Sequence, residues 1–165
     1  FALHEFTFNG RACKVAVPKQ AAKGRPWAWR ARFWGHEPQT DIALLQQGWH
    51  IVYCDVAELF GNADAIDIWN RFYQKMRRIG LAKKVAFIAM SRGGVYAYNW
   101  AVANPGKVAC IYADAPVLDM RSWPGGMGSS PGSPPDWELC RQAWNLRTEA
   151  DVKAFRQSPL DKVEV

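Results

Sequence analysis

Near the start of the chain, hydrophobic and polar residues alternate in two short runs on either side of Asn9-Gly10. The runs cover residues 5–8 and 11–17, and both are rich in residues that favour strands. Asn-Gly favours the two-residue turn that joins antiparallel strands, so the pattern predicts a β-hairpin. Residues 27–33 alternate in the same way and predict a third strand.

From residue 40 onward, helix patterns and strand patterns follow one another in turn. Strand patterns occupy residues 50–55, 84–90 and 108–113. Helix patterns occupy residues 40–47, 62–80 and 93–103. This alternation predicts an α/β fold with a mostly parallel sheet flanked by helices. The apolar character of 84–90 and 108–113 also predicts that these two strands are buried.

Several helix ends can be predicted from capping and stop residues. Thr40 and Asn62 stand where side chains commonly cap the start of a helix, and Thr148 opens a near capping box. Gly48 and Gly80 stand where glycine commonly ends one.

The chain changes character at Trp123, where a long loop rich in Gly, Pro and Ser begins. Two helix patterns follow this loop, at about residues 136–146 and 148–157. No internal repeat is visible. We therefore expect one domain over residues 1–165, with residues 123–157 forming an excursion between strands that resembles a lid or cap.

Composition narrows the classes of function. The 165 residues are 49% hydrophobic, which is enough for one packed core, and no apolar run is long enough to predict a membrane-spanning helix. The net charge of +6 comes from scattered basic residues without a nucleic-acid motif, so we expect neither a nucleic-acid partner nor a membrane partner. We expect a soluble protein, and because the first residue is Phe1, the sequence leaves export open.

Metal and cofactor sites are not predicted either. The four cysteines form no CxxC pair and have no histidine at zinc-finger spacing. Three of the four lie in strand-like runs, where a free cysteine behaves as a small hydrophobic residue, and a disulfide among the four stays open. Neither a dinucleotide-binding G-x-G-x-x-G nor a phosphate-binding G-K-[ST] motif occurs, so we expect no cofactor.

The chemically informative stretch is Ala89-Met90-Ser91-Arg92-Gly93-Gly94, between a predicted strand and a predicted helix. In a nucleophile elbow, G-x-S-x-G, a serine occupies a strained turn at such a junction, and small residues must stand two positions away on each side. Ala89 and Gly93 satisfy that requirement. The Arg92 amide, at the start of the helix, would then supply half of an oxyanion hole. The alternative is that Ser91 only caps the helix.

These motifs resemble those of the α/β-hydrolase superfamily, and further stretches resemble one group of predicted members. The stretches are residues 27–33, 53–56, 90–94, 112–116 and 122–126. The resemblance implies hydrolysis of an ester or related acyl group by a Ser-His-Asp triad, and some relatives are linked to polysaccharide breakdown.

The resemblance also implies further site residues. It places the second oxyanion amide near Arg30-Ala31-Arg32, on the loop after the third strand. Trp34, His36 and Trp123 would lie on loops at the same end, where substrate contact and surface packing are equally good interpretations. Asp114 follows the next strand and is a candidate for the acid, although a turn or capping role is the preferred interpretation.

The histidine of the triad is missing from its expected place. The triad order implied by the resemblance is Ser, acid, His, whereas His4, His36 and His50 all precede Ser91. A serine needs a general base to attack near neutral pH. We therefore expect the sheet to be incomplete at the C-terminal end, and a companion C-terminal segment to carry the acid and the histidine.

Three functions are compatible with the sequence. The leading hypothesis is a serine hydrolase that cleaves a small-molecule or saccharide ester. The second is a non-catalytic protein that binds a carbohydrate or another ligand, for which nine tryptophans would suit sugar stacking. The third is a peptidase of the same fold.

Overall fold

The computed structural model of the protein describes residues 1–162. Within them, six β-strands and five α-helices are joined by loops and short 3-10 turns. The strands are β1 (Ala2–Phe8), β2 (Arg11–Val17), β3 (Trp27–Arg30), β4 (His50–Cys54), β5 (Val85–Met90) and β6 (Val108–Asp114). The helices are α1 (Gln39–Gln46), α2 (Ala63–Arg78), α3 (Gly93–Ala103), α4 (Pro134–Trp144) and α5 (Glu149–Ala154).

All six strands form one sheet in the order β1-β2-β4-β3-β5-β6. The four strands β4, β3, β5 and β6 run parallel, while β1 and β2 are antiparallel to their neighbours. Parallel neighbours need crossover connections, which α1, α2 and α3 provide. The predicted mostly parallel α/β sheet is confirmed.

The predicted hairpin at the start of the chain is also confirmed. Asn9 has a φ of 50° and Gly10 a φ of 76°, the left-handed conformations that a tight two-residue turn requires. The turn sets the register between β1 and β2, in which Phe8 lies opposite Arg11.

Helix ends follow the predicted caps except at α1. The Asn62 side chain accepts a hydrogen bond from the Ala65 amide, and Thr148 forms a complete capping box. The prediction for Thr40 is wrong, because the amide of Ile42 already donates to the Pro38 carbonyl and the first turn starts earlier. Among residues 1–162, no helix is both long and apolar enough to span a bilayer.

The largest hydrophobic cluster lies between one face of the sheet and helices α2 and α3. Trp29 of β3 is at its centre, with its ring 4.4 Å from that of Trp69 and 5.5 Å from that of Phe87. A smaller cluster on the opposite face includes Leu45 of α1. A third cluster joins Val95 of α3 to residues of α4 and α5, so the excursion is packed onto the sheet domain.

Strand β6 is more exposed than its apolar sequence predicts. Cys110, Tyr112 and Asp114 are exposed, with Tyr112 at 54%. Within the described residues, β6 is hydrogen-bonded to β5 on one side only, which leaves it at the edge of the sheet. The prediction of a buried strand at 108–113 is therefore wrong for these residues, because a strand's burial depends on what packs against it.

Candidate active site

Ser91 lies between the end of β5 and the start of α3. It has a φ of 49° and is partly exposed. A positive φ is uncommon for residues other than glycine, and strained residues of this kind cluster at functional sites. Ser91 therefore lies at the predicted strand–helix junction in a strained conformation, whereas its role as a nucleophile stays a prediction.

Three backbone hydrogen bonds hold this turn in place. The Ser91 amide donates to the Asp114 carbonyl at 2.9 Å. The Ser91 carbonyl accepts from the amides of Gly94 and Val117, at 3.0 and 2.8 Å. The end of β5 is thereby tied to the end of β6 and to the segment that follows it. Among residues 1–162, the Ser91 hydroxyl has no hydrogen-bond partner.

The tightest packing around the turn is at Gly94. A Cβ atom on Gly94 would lie 2.7 Å from the Pro116 Cβ and 2.9 Å from the Val117 carbonyl oxygen. A Cβ on Gly93 would lie 3.4 Å from the Ala31 Cβ, which is an ordinary contact. A side chain would therefore be tolerated less well at Gly94 than at Gly93, although Gly93 is the position that the sequence motif requires to be small.

Two backbone amides lie near the start of α3 without a hydrogen-bond acceptor among the described residues. Within residues 1–162, neither the Arg92 amide nor the Arg32 amide has a hydrogen-bond acceptor. The Arg32 nitrogen is 3.6 Å from the Cβ position of Gly93, which places it beside the start of α3. The Ala31 amide is already used, because it donates to the Ile88 carbonyl at 3.0 Å.

Arg30 and Ala31, two of the three residues predicted near the second oxyanion amide, are engaged in contacts within the fold, and an oxyanion role for residues 30–32 stays a prediction. Arg30 is the last residue of β3 and is 1% exposed. Its guanidinium group contacts the Asp41 carboxylate and donates to the carbonyl oxygens of Arg32 and His36. The buried Arg30 side chain therefore fixes the conformation of the loop after β3. Burial raises the pKa of Asp41, and the charge of Arg30 opposes that shift only in part.

Trp34 and His36, the two candidate substrate-binding residues on that loop, make no contact with Ser91 that the structure shows. The Trp34 ring lies 6.1 Å from the Tyr53 ring and lines a cavity of about 260 Å³ beside α1 and β1. His36 is exposed. Their roles in substrate binding stay predictions.

Trp123, by contrast, is close to the residue that follows Ser91. The guanidinium carbon of Arg92 lies 6.0 Å from the Trp123 ring centre and 5.0 Å from that of Phe60. Arg92 Nη1 also donates to Asp136 Oδ1 at 2.9 Å. Ser133 Oγ donates to the other oxygen of the same carboxylate at 2.7 Å.

Asp136 is a residue of this region that the sequence reasoning missed. It lies in the first turn of α4, 44 positions after Arg92, and no local pattern connects the two. The ion pair fastens the excursion at residues 123–157 directly to the turn that carries Ser91.

The first two aspartates after β5, Asp114 and Asp119, differ in their surroundings. Asp114 is exposed at the end of β6, and its carbonyl rather than its carboxylate contacts Ser91. Asp119 binds the amide and guanidinium group of Arg121. Burial alone would raise the pKa of Asp119, but the hydrogen bonds from Arg121 lower it overall. The Asp119 carboxylate is therefore engaged in a local turn with Arg121.

No histidine forms a hydrogen bond with Ser91, and all three lie within the described residues. His4 and His36 are exposed on β1 and on the loop after β3. His50 is buried at the amino end of β4, opposite the end of the sheet where Ser91 lies. Residues 1–162 also contain no group of three or more His, Cys, Asp or Glu side chains that could hold a metal ion.

No protein-family model and no curated protein sequence matches the chain. Solved structures do match it. Acetyl xylan esterase from Aspergillus awamori is 16% identical, with a TM-score of 0.52 over 67% of this chain and 50% of that one. Lipase A from Candida antarctica in its closed state is 14% identical, with a TM-score of 0.58 over 87% of this chain and 43% of that one. A cold-adapted esterase from an Arctic intertidal metagenomic library is 10% identical, with a TM-score of 0.52 over 67% of this chain and 58% of that one.

The chain has the α/β-hydrolase fold. At these identities the similarity is one of fold, and it does not by itself transfer an activity. The chain spans about half the length of these solved structures, from 43% to 58%. Within the α/β-hydrolase fold, Ser91 lies at the carboxyl end of a central parallel strand, where open α/β sheets bind ligands.

Proposed function

We propose that this chain is the nucleophile-bearing part of a serine hydrolase that cleaves carboxylic esters, with Ser91 as the nucleophile. The observation that carries the proposal is the conformation of Ser91. It has a φ of 49° at the carboxyl end of β5, its backbone is fixed by three hydrogen bonds, and its hydroxyl is unpaired within residues 1–162. A residue that only capped α3 would use its side-chain oxygen to accept a hydrogen bond from that helix.

The two unpaired amides suit the charge that develops during the reaction. When Ser91 Oγ attacks the ester carbonyl carbon, the carbonyl oxygen becomes an oxyanion. The amides of Arg92 and Arg32 would donate hydrogen bonds to it, and the start of α3 adds its positive dipole end. The loss of one such donor commonly lowers kcat by about 10²- to 10³-fold.

The general base comes, in this proposal, from a companion C-terminal segment outside the chain. A histidine of that segment takes the proton from Ser91 Oγ and later gives it to the leaving alcohol. A carboxylate of the same segment orients the histidine. The unpaired side of β6 supports this, because a further strand could pair there and bring its end beside Ser91.

The substrate class is an ester of a small molecule or a saccharide. Similarity in fold to proteins named as an acetyl xylan esterase, a lipase and an esterase supports ester substrates in general. Trp123, beside Arg92, is the aromatic residue best placed to contact the acyl or alcohol part. The excursion at residues 123–157 would cover the site.

The surroundings of the tryptophans count against a protein that only binds carbohydrate. Four of the nine are at most 1% exposed in the main core, namely Trp27, Trp29, Trp69 and Trp100. The other five are partly buried. Core packing therefore explains four of the nine tryptophans, and none of the nine is fully exposed.

The test uses the complete protein and a fluorophosphonate probe, which reacts covalently with activated serines. We expect labelling on the peptide that contains Ser91, and hydrolysis of p-nitrophenyl acetate that Ser91→Ala lowers by at least about 10³-fold. Ser129→Ala, on an exposed loop position, is the matched control and should keep both signals. Wild-type turnover by Ser91→Ala would overturn the proposal.

A further inference from the structure

Cys13 of β2 and Cys54 of β4 lie opposite each other on antiparallel strands. Their residues are only 1% and 0% exposed, and both belong to the main core cluster. Both are free thiols in this structure. Their pairing is independent of the chemistry of Ser91, so it can be tested whether or not the proposed function holds.

The register of the two strands brings this pair to the shortest cross-strand separation. The Asp55 amide donates to the Ala12 carbonyl at 3.0 Å, so Ala12 and Asp55 form a hydrogen-bonded pair. Hydrogen-bonded and non-hydrogen-bonded pairs alternate along an antiparallel ladder, and Cys13–Cys54 is the next pair. Non-hydrogen-bonded pairs have Cα atoms about 4.5 Å apart, within the range of about 4.4–6.8 Å that a disulfide spans.

We propose that Cys13 and Cys54 are a disulfide-forming site that closes the β1–β2 hairpin covalently onto β4. The oxidant is a small-molecule disulfide such as oxidised glutathione. The Cys13 thiolate attacks one sulfur of the reagent, releases one glutathione thiol and forms a mixed disulfide. Cys54 then attacks the Cys13 sulfur and releases the second glutathione. The two protein thiols lose two electrons and two protons in total, and the reagent is reduced to two thiols.

The surroundings of the two thiols favour Cys13 as the first to react. Contact with the Cys54 thiol lowers the pKa of Cys13, against the effect of burial. The same contact, together with burial, raises the pKa of Cys54. Access to Cys13 is through strand β1, where Phe6 lies opposite it. Within the described residues β1 is an edge strand with one neighbour, and edge elements open more readily than central strands.

The other two cysteines provide internal controls. Cys110 is exposed on β6. Cys140 is buried with its sulfur 3.7 Å from that of Met120, and burial raises its pKa to about 12. Neither lies opposite another cysteine in the sheet. An oxidant that acted without regard to geometry would modify Cys110 first, because it is the exposed thiol.

The first experiment counts thiols in the Cys110→Ser variant, which removes the exposed thiol and leaves three of the four cysteines. After incubation of the folded chain with oxidised glutathione, denatured protein should show one free thiol instead of three. A non-reducing tryptic map should join the peptide at residues 12–14 to the peptide at residues 33–71. Three remaining thiols, a stable glutathione adduct at Cys13 or a link to Cys140 would each overturn the proposal.

The second experiment measures thermal unfolding before and after the same oxidation. Closure of the loop between residues 13 and 54 should raise Tm by on the order of 10 °C, and dithiothreitol should reverse the rise. Cys54→Ala should abolish the rise, and Cys140→Ala is the matched buried control that should keep it. An unchanged Tm in the oxidised protein would count against a disulfide between Cys13 and Cys54. Should Cys54→Ala fail to fold, the thiol count and the peptide map decide without it.

Discussion

The backbone amide of Ser91 donates a 2.9 Å hydrogen bond to the carbonyl oxygen of Asp114, across the ends of two adjacent parallel strands. Because of this bond, the conformation of the turn after β5 depends on the position of the last residue of β6. The Ser91 carbonyl is fixed in the same way by the Val117 amide, at 2.8 Å. The positive φ of Ser91 is therefore held by three hydrogen bonds and not by the local sequence alone.

Gly94→Ala should destabilise the protein by about 1–3 kcal/mol, because its Cβ would lie 2.7 Å from the Pro116 Cβ and the backbone would have to move. Urea denaturation measures the change. Gly106→Ala is the matched control, since a Cβ there meets nothing within 4 Å, and it should change stability by less than about 0.5 kcal/mol. Equal stability of the two variants would contradict the tight contact at Gly94.

Asp136→Asn should loosen the excursion at residues 123–157, because it weakens the bond to Arg92 and leaves that largely buried cation without a carboxylate. We expect faster amide hydrogen exchange in α4 and a loss of stability of about 1–2 kcal/mol, the pair being partly exposed. Asp67→Asn breaks an exposed pair with Arg71 on α2 and should cost about 0.5 kcal/mol or less. Unchanged exchange in α4 would show that the ion pair does not hold the excursion.

Asp114→Asn should lower the hydrolysis of p-nitrophenyl acetate by the complete protein less than about tenfold. The carbonyl of Asp114 is what contacts Ser91, and the substitution preserves it, while the exposed carboxylate makes no hydrogen bond among residues 1–162. Loss of a triad acid usually costs about 10⁴-fold in kcat. A loss of that size would identify Asp114 as the acid and remove the need for one in the companion segment.

Local patterns predicted much of the fold, because hairpin turns, caps and apolar strands are determined by neighbouring residues. Asn9-Gly10, Asn62 and the span of α3 are cases in which the sequence prediction agrees with the structure. The position of Ser91 at a strand–helix junction was also predicted from local features, namely the small residues around it and the strand before it, although distant hydrogen bonds hold its conformation.

Features that depend on distant residues were predicted less well. The exposure of β6 depends on what packs against that strand, and the pairing of Arg92 with Asp136 joins residues 44 positions apart. The sequence predicted the second oxyanion amide only to within the stretch 30–32. The Ala31 amide still bonds to β5, one residue beyond the end of β3, and among residues 1–162 the amide without an acceptor is that of Arg32. Which of these amides is unpaired depends on where the pairing of two strands ends, and that is not a local feature of the sequence.

His50 should make the folded state less stable as the pH falls. Burial lowers the pKa of His50, so below about 6.5, the ordinary value, the unfolded chain binds a proton that the folded chain does not. The free energy of unfolding should therefore fall with pH from about 6.5 down to the lower pKa of the folded state. Urea denaturation between pH 5 and pH 8 measures this slope, and His50→Leu should reduce it. His4→Gln, at an exposed position on β1, is the matched control and should keep the wild-type slope. A slope that His50→Leu leaves unchanged would mean that another group causes the loss of stability in acid.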